Sequence, residues 1–332
     1  MRVSNFGQVC VLAIGLLGAA LAPVSSQAAL VDVELAELPV TDALNLVARQ
    51  AGLSVQIDET LETAKVRPDK LPWGPPTLKI QLKQVAADQV LESMAGAYGL
   101  VVDKSRGAEL AKLRFARADE LVFKRAPKTL PDPLKDLRKI PLLLFDEIPV
   151  MQVVQTLALQ SRLNLVPSHE LMTGTNAQGA AWQEALLTLK IRNVSPQQAL
   201  EAVLDASGLV VDWSGLGQVG VIYPASRFAQ SGNKTIAQPP VQGEKTDFTL
   251  ADLALEDFVQ LIGTQLGVNL VISTSVRQAT GADKQPLLQS SISISQKGIT
   301  PLAALQEVLK SKGLEFRWSQ RAEVGIVDVV KK

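Results

Sequence analysis

The sequence predicts an α+β protein of three tandem small domains, each with the order β-α-β-β-α-β-β and two helices packed on a small mixed sheet. A fifteen-residue phrase occurs three times, as "LESMAGAYGLVVDKS", "LEAVLDASGLVVDWS" and "LQEVLKSKGLEFRWS". Aligned on Gly99, Gly208 and Gly313, the three copies lie 109 and 105 residues apart. A second segment, upstream of each phrase, begins at Pro39, Pro149 or Ala254, and these starts are 110 and 105 residues apart. Two agreeing offsets indicate a true internal repeat.

The upstream segment predicts an amphipathic helix between two strands. In the first repeat Val40, Ala43, Leu44, Val47 and Ala48 recur at helical spacing. Alternating apolar residues before it, after it and beyond a polar loop predict half-buried strands. In the first repeat these runs are Val31-Val33-Leu35, Leu53-Val55-Ile57 and Leu78-Ile80-Leu82, and the second repeat has Leu143-Phe145 in place of the first run.

The repeated phrase predicts a second helix, its end and a further strand. Ser195-Pro196 and Thr300-Pro301 place a capping hydroxyl before a proline in the first helical turn. Gly208 and Gly313 are expected just past the helix at positive φ, where glycine carries no steric penalty.

The composition also predicts where the domains begin and end. The repeats are expected at 29–118, 139–226 and 246–332, joined by flexible Pro-rich or polar linkers at 119–138 and 227–245. Because each unit exceeds the usual solenoid period, we expect three separate beads rather than one continuous core.

The N-terminus has the pattern of a secretory signal peptide at 1–28. An uncharged apolar run from Val9 to Ala22 precedes small residues that suit cleavage after Ala28. Retention as an anchor is the alternative. The only cysteine, Cys10, lies in this segment, so the mature chain would have no disulfide or thiol nucleophile, which suits a bacterial periplasm. The formal net charge of zero offers no electrostatic footprint for nucleic acid.

The pattern formed by Pro39-Val40, Ala43-Leu44, Gln50-Ala51-Gly52-Leu53 and Gly99-Leu100 resembles the secretin and TonB N-terminal short domain. That family caps the periplasmic end of outer-membrane secretins and forms the signalling domain of some TonB-dependent receptors. Arg162 departs from the pattern, which has a glycine there. Since no pore or receptor barrel follows the third repeat, the resemblance implies the periplasmic module alone.

Residues that could carry chemistry are few. His169 is the only histidine, which excludes a site with several histidines, and its polar surroundings predict a solvated loop. Glu37, Glu147 and Asp252 recur before the first helix of each repeat and are expected to complement its dipole. We therefore expect no catalytic residues, cofactor or metal, with an enzyme site built across repeats as the open alternative.

Trp73 and Trp182 occupy the same aligned position in the loop before the third strand, where Leu287 is their counterpart. Each ring either covers the core of its domain or is an exposed anchor for a partner. The exposed interpretation requires substantial accessibility while Leu91, Leu200 and Leu305 are buried.

The expected function is that of a non-enzymatic periplasmic protein that binds protein partners through several domains or through sheet edges. The resemblance implies partners in an envelope assembly, such as a secretin, a pilus or secretion component, or a TonB-linked system. The alternative is a peptidoglycan- or carbohydrate-binding protein that uses the loop tryptophans.

Overall fold

The computed structural model describes residues 30–68, 72–74, 76–104, 110–117, 130–131, 138–176, 179, 181–213, 218–228, 242–281 and 284–330. The predicted signal peptide and most of both linkers lie outside these residues. One order of elements recurs three times: strand, helix, strand, short helix, strand, helix, strand, strand.

The elements have the following bounds. The first repeat has β1 (Leu30–Pro39), α1 (Val40–Gln50), β2 (Ser54–Ile57), α2 (Glu59–Thr63), β3 (Thr77–Ala86), α3 (Ala87–Ala97), β4 (Leu100–Asp103) and β5 (Leu110–Phe115). The second has β6 (Ile140–Pro149), α4 (Val150–Gln160), β7 (Asn164–Pro167), α5 (His169–Thr173), β8 (Leu186–Val194), α6 (Pro196–Ala206), β9 (Leu209–Asp212) and β10 (Val219–Pro224). The third has β11 (Thr246–Ala254), α7 (Leu255–Leu266), β12 (Asn269–Ile272), α8 (Thr274–Arg277), β13 (Ser291–Ile299), α9 (Pro301–Ser311), β14 (Leu314–Ser319) and β15 (Val324–Val329).

The predicted α+β class is confirmed, with two differences in detail. The strands of each repeat form two sheets rather than one: the first and third strands pair antiparallel, and the other three form a mixed sheet in the order β2-β5-β4, or its equivalent. A short helix that the sequence analysis missed follows the second strand. Its signal is a capping side chain, since Asp58 accepts a hydrogen bond from the Thr60 N–H and Ser273 accepts one from the Val276 N–H.

The helix predictions agree with the structure. The predicted stripe of α1, from Val40 to Ala48, is fully buried. Gly208 and Gly313 have φ of 68° and 70° just past α6 and α9. Arg162 takes the same left-handed conformation after α4, with φ of 57°, so it occupies the glycine position at a steric cost of about 1–2 kcal/mol.

The recurrent acidic residues have a backbone role that was not predicted. Glu37, Glu147 and Asp252 have φ of 54°, 50° and 53°, and each lies where the register of the outer two-stranded sheet shifts. Each therefore occupies the left-handed position of a β-bulge, which bends the strand before it enters the helix.

The expectation of three separate beads is wrong, because neighbouring repeats share buried side chains. Val166 and Val219 of the second repeat complete the core of the first, and Val271, Val324 and Ile326 of the third pack into the core of the second. The part of the first linker that the structure describes also packs: Leu130 is buried in the second core.

Two asparagines at equivalent positions hold these junctions. The Asn164 side chain accepts from the Lys83 N–H at 2.8 Å and donates to the Lys83 carbonyl at 3.1 Å. Asn269 makes the same pair of hydrogen bonds, both 2.8 Å, to the backbone of Arg192. Each side-chain amide thus forms the hydrogen bonds that a neighbouring strand would form at the edge of the preceding repeat. The same contact occurs at both junctions, between the first and second repeats and between the second and third.

Candidate protein interaction surface

Trp73 and Trp182 are buried, so the exposed-anchor interpretation is wrong. Their exposed fractions are 6% and 7%, and Leu91, Leu200 and Leu305 are fully buried. The short helix and an isolated bridge, Val66–Pro72 in the first repeat, turn the loop back over the core and point the ring inward. Leu287 is buried at the same position of the third repeat. All three side chains are therefore lids on their cores.

His169 is fully buried, and the expectation of a solvated loop histidine is wrong. It begins α5 and stacks on Trp73 of the first repeat, with ring centroids 5.5 Å apart and planes 14° from parallel. Tyr98, also of the first repeat, meets it edge to face. The histidine is thus a packing residue of the first junction, which sequence periodicity within one repeat could not reveal.

Glu170, beside this histidine, pairs with Arg227 at 2.9 Å within the second repeat. Across the described ranges, no group of three or more His, Cys, Asp or Glu side chains could hold a metal ion. In the same part of the chain, no helix is long and apolar enough to cross a membrane.

The outward surface of the first repeat is the one that faces away from the second repeat. It lacks the asparagine and the valine with which each later repeat contacts the repeat before it. Ser54 and Gln56, both exposed, stand where the second repeat has Asn164 and Val166. Leu110 stands at the position of Val219 and is 41% exposed, so this surface is polar at two junction positions and apolar at a third.

The outward surface of the third repeat is polar as well. Exposed Glu307 on α9 stands where α3 and α6 have the buried small residues Ser93 and Ala202. Its carboxylate accepts a hydrogen bond from Gln296 at 2.7 Å. Apolar contact surface is also exposed along the sides of the stack.

A cleft of about 970 Å³ lies on one side, between the second and third repeats. Its walls are the outer face of the β6–β8 sheet, with Lys190 and Arg192, and helix α7, with Gln260 and Thr264. At the first junction the equivalent of Gln260 is Gln155, whose side chain donates to the Lys79 carbonyl at 2.7 Å and ties α4 to β3. The second junction is therefore the more open of the two.

The sheet beside this cleft carries the two most exposed leucines among the described residues of the second repeat. Leu142 and Leu144, on β6, have exposed fractions of 50% and 60%. Their equivalents by the repeat offsets of 110 and 105 residues are Asp32 and Glu34 on β1 and Asp247 and Thr249 on β11. The second repeat thus presents apolar surface where the other two present polar side chains.

No family model matches the chain, and no significantly similar curated protein is found. The candidate surface therefore stands on its geometry alone.

Proposed function

We propose that this protein is a non-enzymatic interaction protein of the bacterial periplasm that binds protein partners of a cell-envelope assembly. The observation that carries the proposal is the open side of the second repeat, where the cleft and two exposed leucines adjoin. An exposed apolar patch rimmed by polar side chains marks a protein–protein contact surface in soluble proteins. Export rests on the signal-peptide pattern, and the link to a secretin, pilus, secretion or TonB system rests on the family resemblance.

The cleft suits a protein segment with acidic side chains. Lys139, Lys190 and Arg192 line its sheet side, and on the helix side the Arg277 guanidinium is 3.0 Å from the Glu256 carboxylate, which balances that pair. Glu323 also lines the cleft, so four basic side chains face two carboxylates, and the net excess of positive charge favours an acidic partner and speeds its association.

Stacking makes the proposed binder rigid. Because neighbouring repeats share core residues, the cleft keeps its shape without a partner, and less conformational entropy is lost on binding. This differs from the avidity of three tethered domains that the sequence suggested.

A photo-reactive residue in place of Gln260 tests the proposal in intact envelopes of the producing cell. We expect it to capture a discrete envelope protein. The control places the same residue at Asn45, the equivalent position of α1, beside which the described residues form no cleft of this kind. Equal capture at both positions, or none at Gln260, would contradict the proposal.

The peptidoglycan- or carbohydrate-binding alternative depended on exposed tryptophans, and both rings are buried. No other feature of the described residues favours it. Co-sedimentation with purified sacculi separates the two functions, because the proposed protein binder should stay in the supernatant.

A further inference from the structure

Strand β6 has an edge that lacks the protection found on the equivalent strands. In the described part of the chain its only ladder partner is β8, so the opposite edge is open. Natural proteins protect such edges with charged side chains, because an apolar edge accepts another strand. β1 carries Asp32 and Glu34 at these positions, whereas β6 carries Leu142 and Leu144.

The protecting carboxylates also make hydrogen bonds that a leucine cannot make. Asp32 accepts from the Gln84 N–H at 2.8 Å, and Asp247 accepts from the Gly298 N–H at 2.8 Å. Asn193 is the equivalent of Gln84 and Gly298 and also has a positive φ. The residue across from this part of β8 is Leu142, which has no carboxylate to accept a hydrogen bond. The second repeat thus gives up a carboxylate contact and gains exposed apolar surface.

The pairing pattern shows which backbone groups face the open edge. The Arg192 N–H and carbonyl point away from β6, because they bond to Asn269. In an antiparallel pair, opposite residues point their backbone groups either toward each other or both away. Leu142 is opposite Arg192, and Leu144 is opposite Lys190 two residues on, so both leucines offer N–H and carbonyl groups at the open edge. The missing N–H of Pro141 falls on the β8 side.

We propose that two molecules of this protein associate by antiparallel pairing of β6 with β6 of the second molecule, centred on Leu143. This register places Leu142 of each molecule opposite Leu144 of the other, in hydrogen-bonded pairs with the leucine side chains in contact. A dimer of this kind buries the same patch from both molecules about a two-fold axis. The inference deepens the proposed function and rests on the same surface: it assigns the two leucines to a second copy of the chain and leaves the α7 side of the cleft to an envelope partner.

The charges along β6 favour a second molecule as the occupant. Lys139 precedes the strand, and Asp146 and Glu147 lie at its far end, all three exposed. Antiparallel pairing about Leu143 brings Lys139, just before β6 of each molecule, toward the bulged end of the other β6, which carries Asp146 and Glu147. Opposite charges at cross-strand positions stabilise a sheet, so the sequence of β6 complements itself.

The same antiparallel pairing of β1 with β1 of a second molecule would be unfavourable. Pairing about Val33 would place Asp32 of one molecule opposite Glu34 of the other, and like charges directly opposite destabilise a sheet. The contrast between β1 and β6 therefore predicts which strand mediates the contact.

Disulfide trapping tests the register. The mature chain is expected to contain no cysteine, so Leu143→Cys introduces a unique thiol at the two-fold axis, where cross-strand Cβ atoms lie about 5 Å apart. We expect mild oxidation to give a disulfide-linked dimer. The matched control is Phe145→Cys, on the same face of β6, whose thiols would lie roughly 13 Å apart at about 3.4 Å per residue. Equal trapping of both variants would overturn the register.

Sedimentation equilibrium of the unmodified mature protein tests the association itself. We expect a dimer whose dissociation constant rises at least tenfold in Leu142→Asp/Leu144→Glu, which copies the side chains of β1 and leaves the thermal midpoint unchanged. Lys139→Glu and Glu147→Lys should each weaken the dimer, and the double variant should restore it. A monomeric wild type, or a dimer that persists in Leu142→Asp/Leu144→Glu, overturns the proposal, whatever the cleft captures in cells.

Discussion

Truncation of Trp73 should destabilise both the first repeat and its junction with the second. The indole Nε1–H donates to the Leu61 carbonyl at 2.8 Å, and the ring stacks on His169. Removing a buried tryptophan side chain costs about 3–5 kcal/mol. The Leu61 carbonyl also loses its donor, which adds about 1 kcal/mol or more where water cannot replace it. We therefore expect Trp73→Ala to lower the free energy of unfolding by at least about 4 kcal/mol.

Two variants separate the contributions. Trp73→Phe keeps an aromatic ring beside His169 but loses the Nε1–H donor, so it should cost only about 1–2 kcal/mol beyond the loss of ring area. Trp182→Ala, the equivalent lid of the second repeat, should cost about 3 kcal/mol. Urea unfolding followed by far-ultraviolet circular dichroism measures all three without relying on tryptophan fluorescence.

His169 provides a direct readout of the junction. It is the only histidine of the chain, so its imidazole C–H resonances in an untagged protein are a single probe. The stacked indole should shift them by its ring current, and Trp73→Ala should abolish that shift while Trp182→Ala preserves it. An unchanged unfolding midpoint together with unchanged His169 resonances in Trp73→Ala would refute the assignment of Trp73 as a lid at the junction.

Three further changes test the fold. Asn164→Ala removes both hydrogen bonds to Lys83 and should cost about 2 kcal/mol in urea unfolding, with less effect for the more exposed Asn269→Ala; no loss in either would contradict the stacking. Gly208→Val should cost at least about 1–2 kcal/mol in the same assay, because φ is 68° and open space surrounds the new Cβ, so only backbone strain acts; a neutral result would refute the left-handed assignment. The hydrogen bond from Lys112, then those from Thr60, lower the pKa of Asp58, so its contribution to stability is present above the pKa of an unfolded aspartate and is lost as the pH falls. Asp58→Asn should therefore flatten the acid side of the stability–pH profile, and an unchanged slope would refute the pairing.

Features within one repeat could be predicted from the sequence because their causes are local. The apolar stripe of α1 identifies its buried face, and the capping and steric preferences that end α6 act within a few residues of Gly208. The short helices were missed because their pattern is only one turn long, although Asp58 and Ser273 carry a capping signal.

The candidate surface could not be predicted in this way. "PLLLF" in β6 reads as a continuous apolar run, so the sequence does not say which leucines the core takes and which remain exposed. Asn164 and His169 look like residues of a polar strand start and a solvated loop. Their roles depend on contacts with the preceding repeat, roughly eighty residues or more away along the chain.

The sequence by itself determined the three repeats, the strands and two longer helices of each, and the apolar stripes of these helices, because these follow from hydrophobic periodicity and from backbone preferences of neighbouring residues. Only the tertiary structure decided that the repeats stack, that Trp73 and Trp182 are buried, and that β6 keeps an open apolar edge. The physical reason is that one side-chain amide, Asn164 or Asn269, can replace a strand neighbour only when another repeat lies against it, and this packing determines which surfaces of the chain remain accessible to a partner.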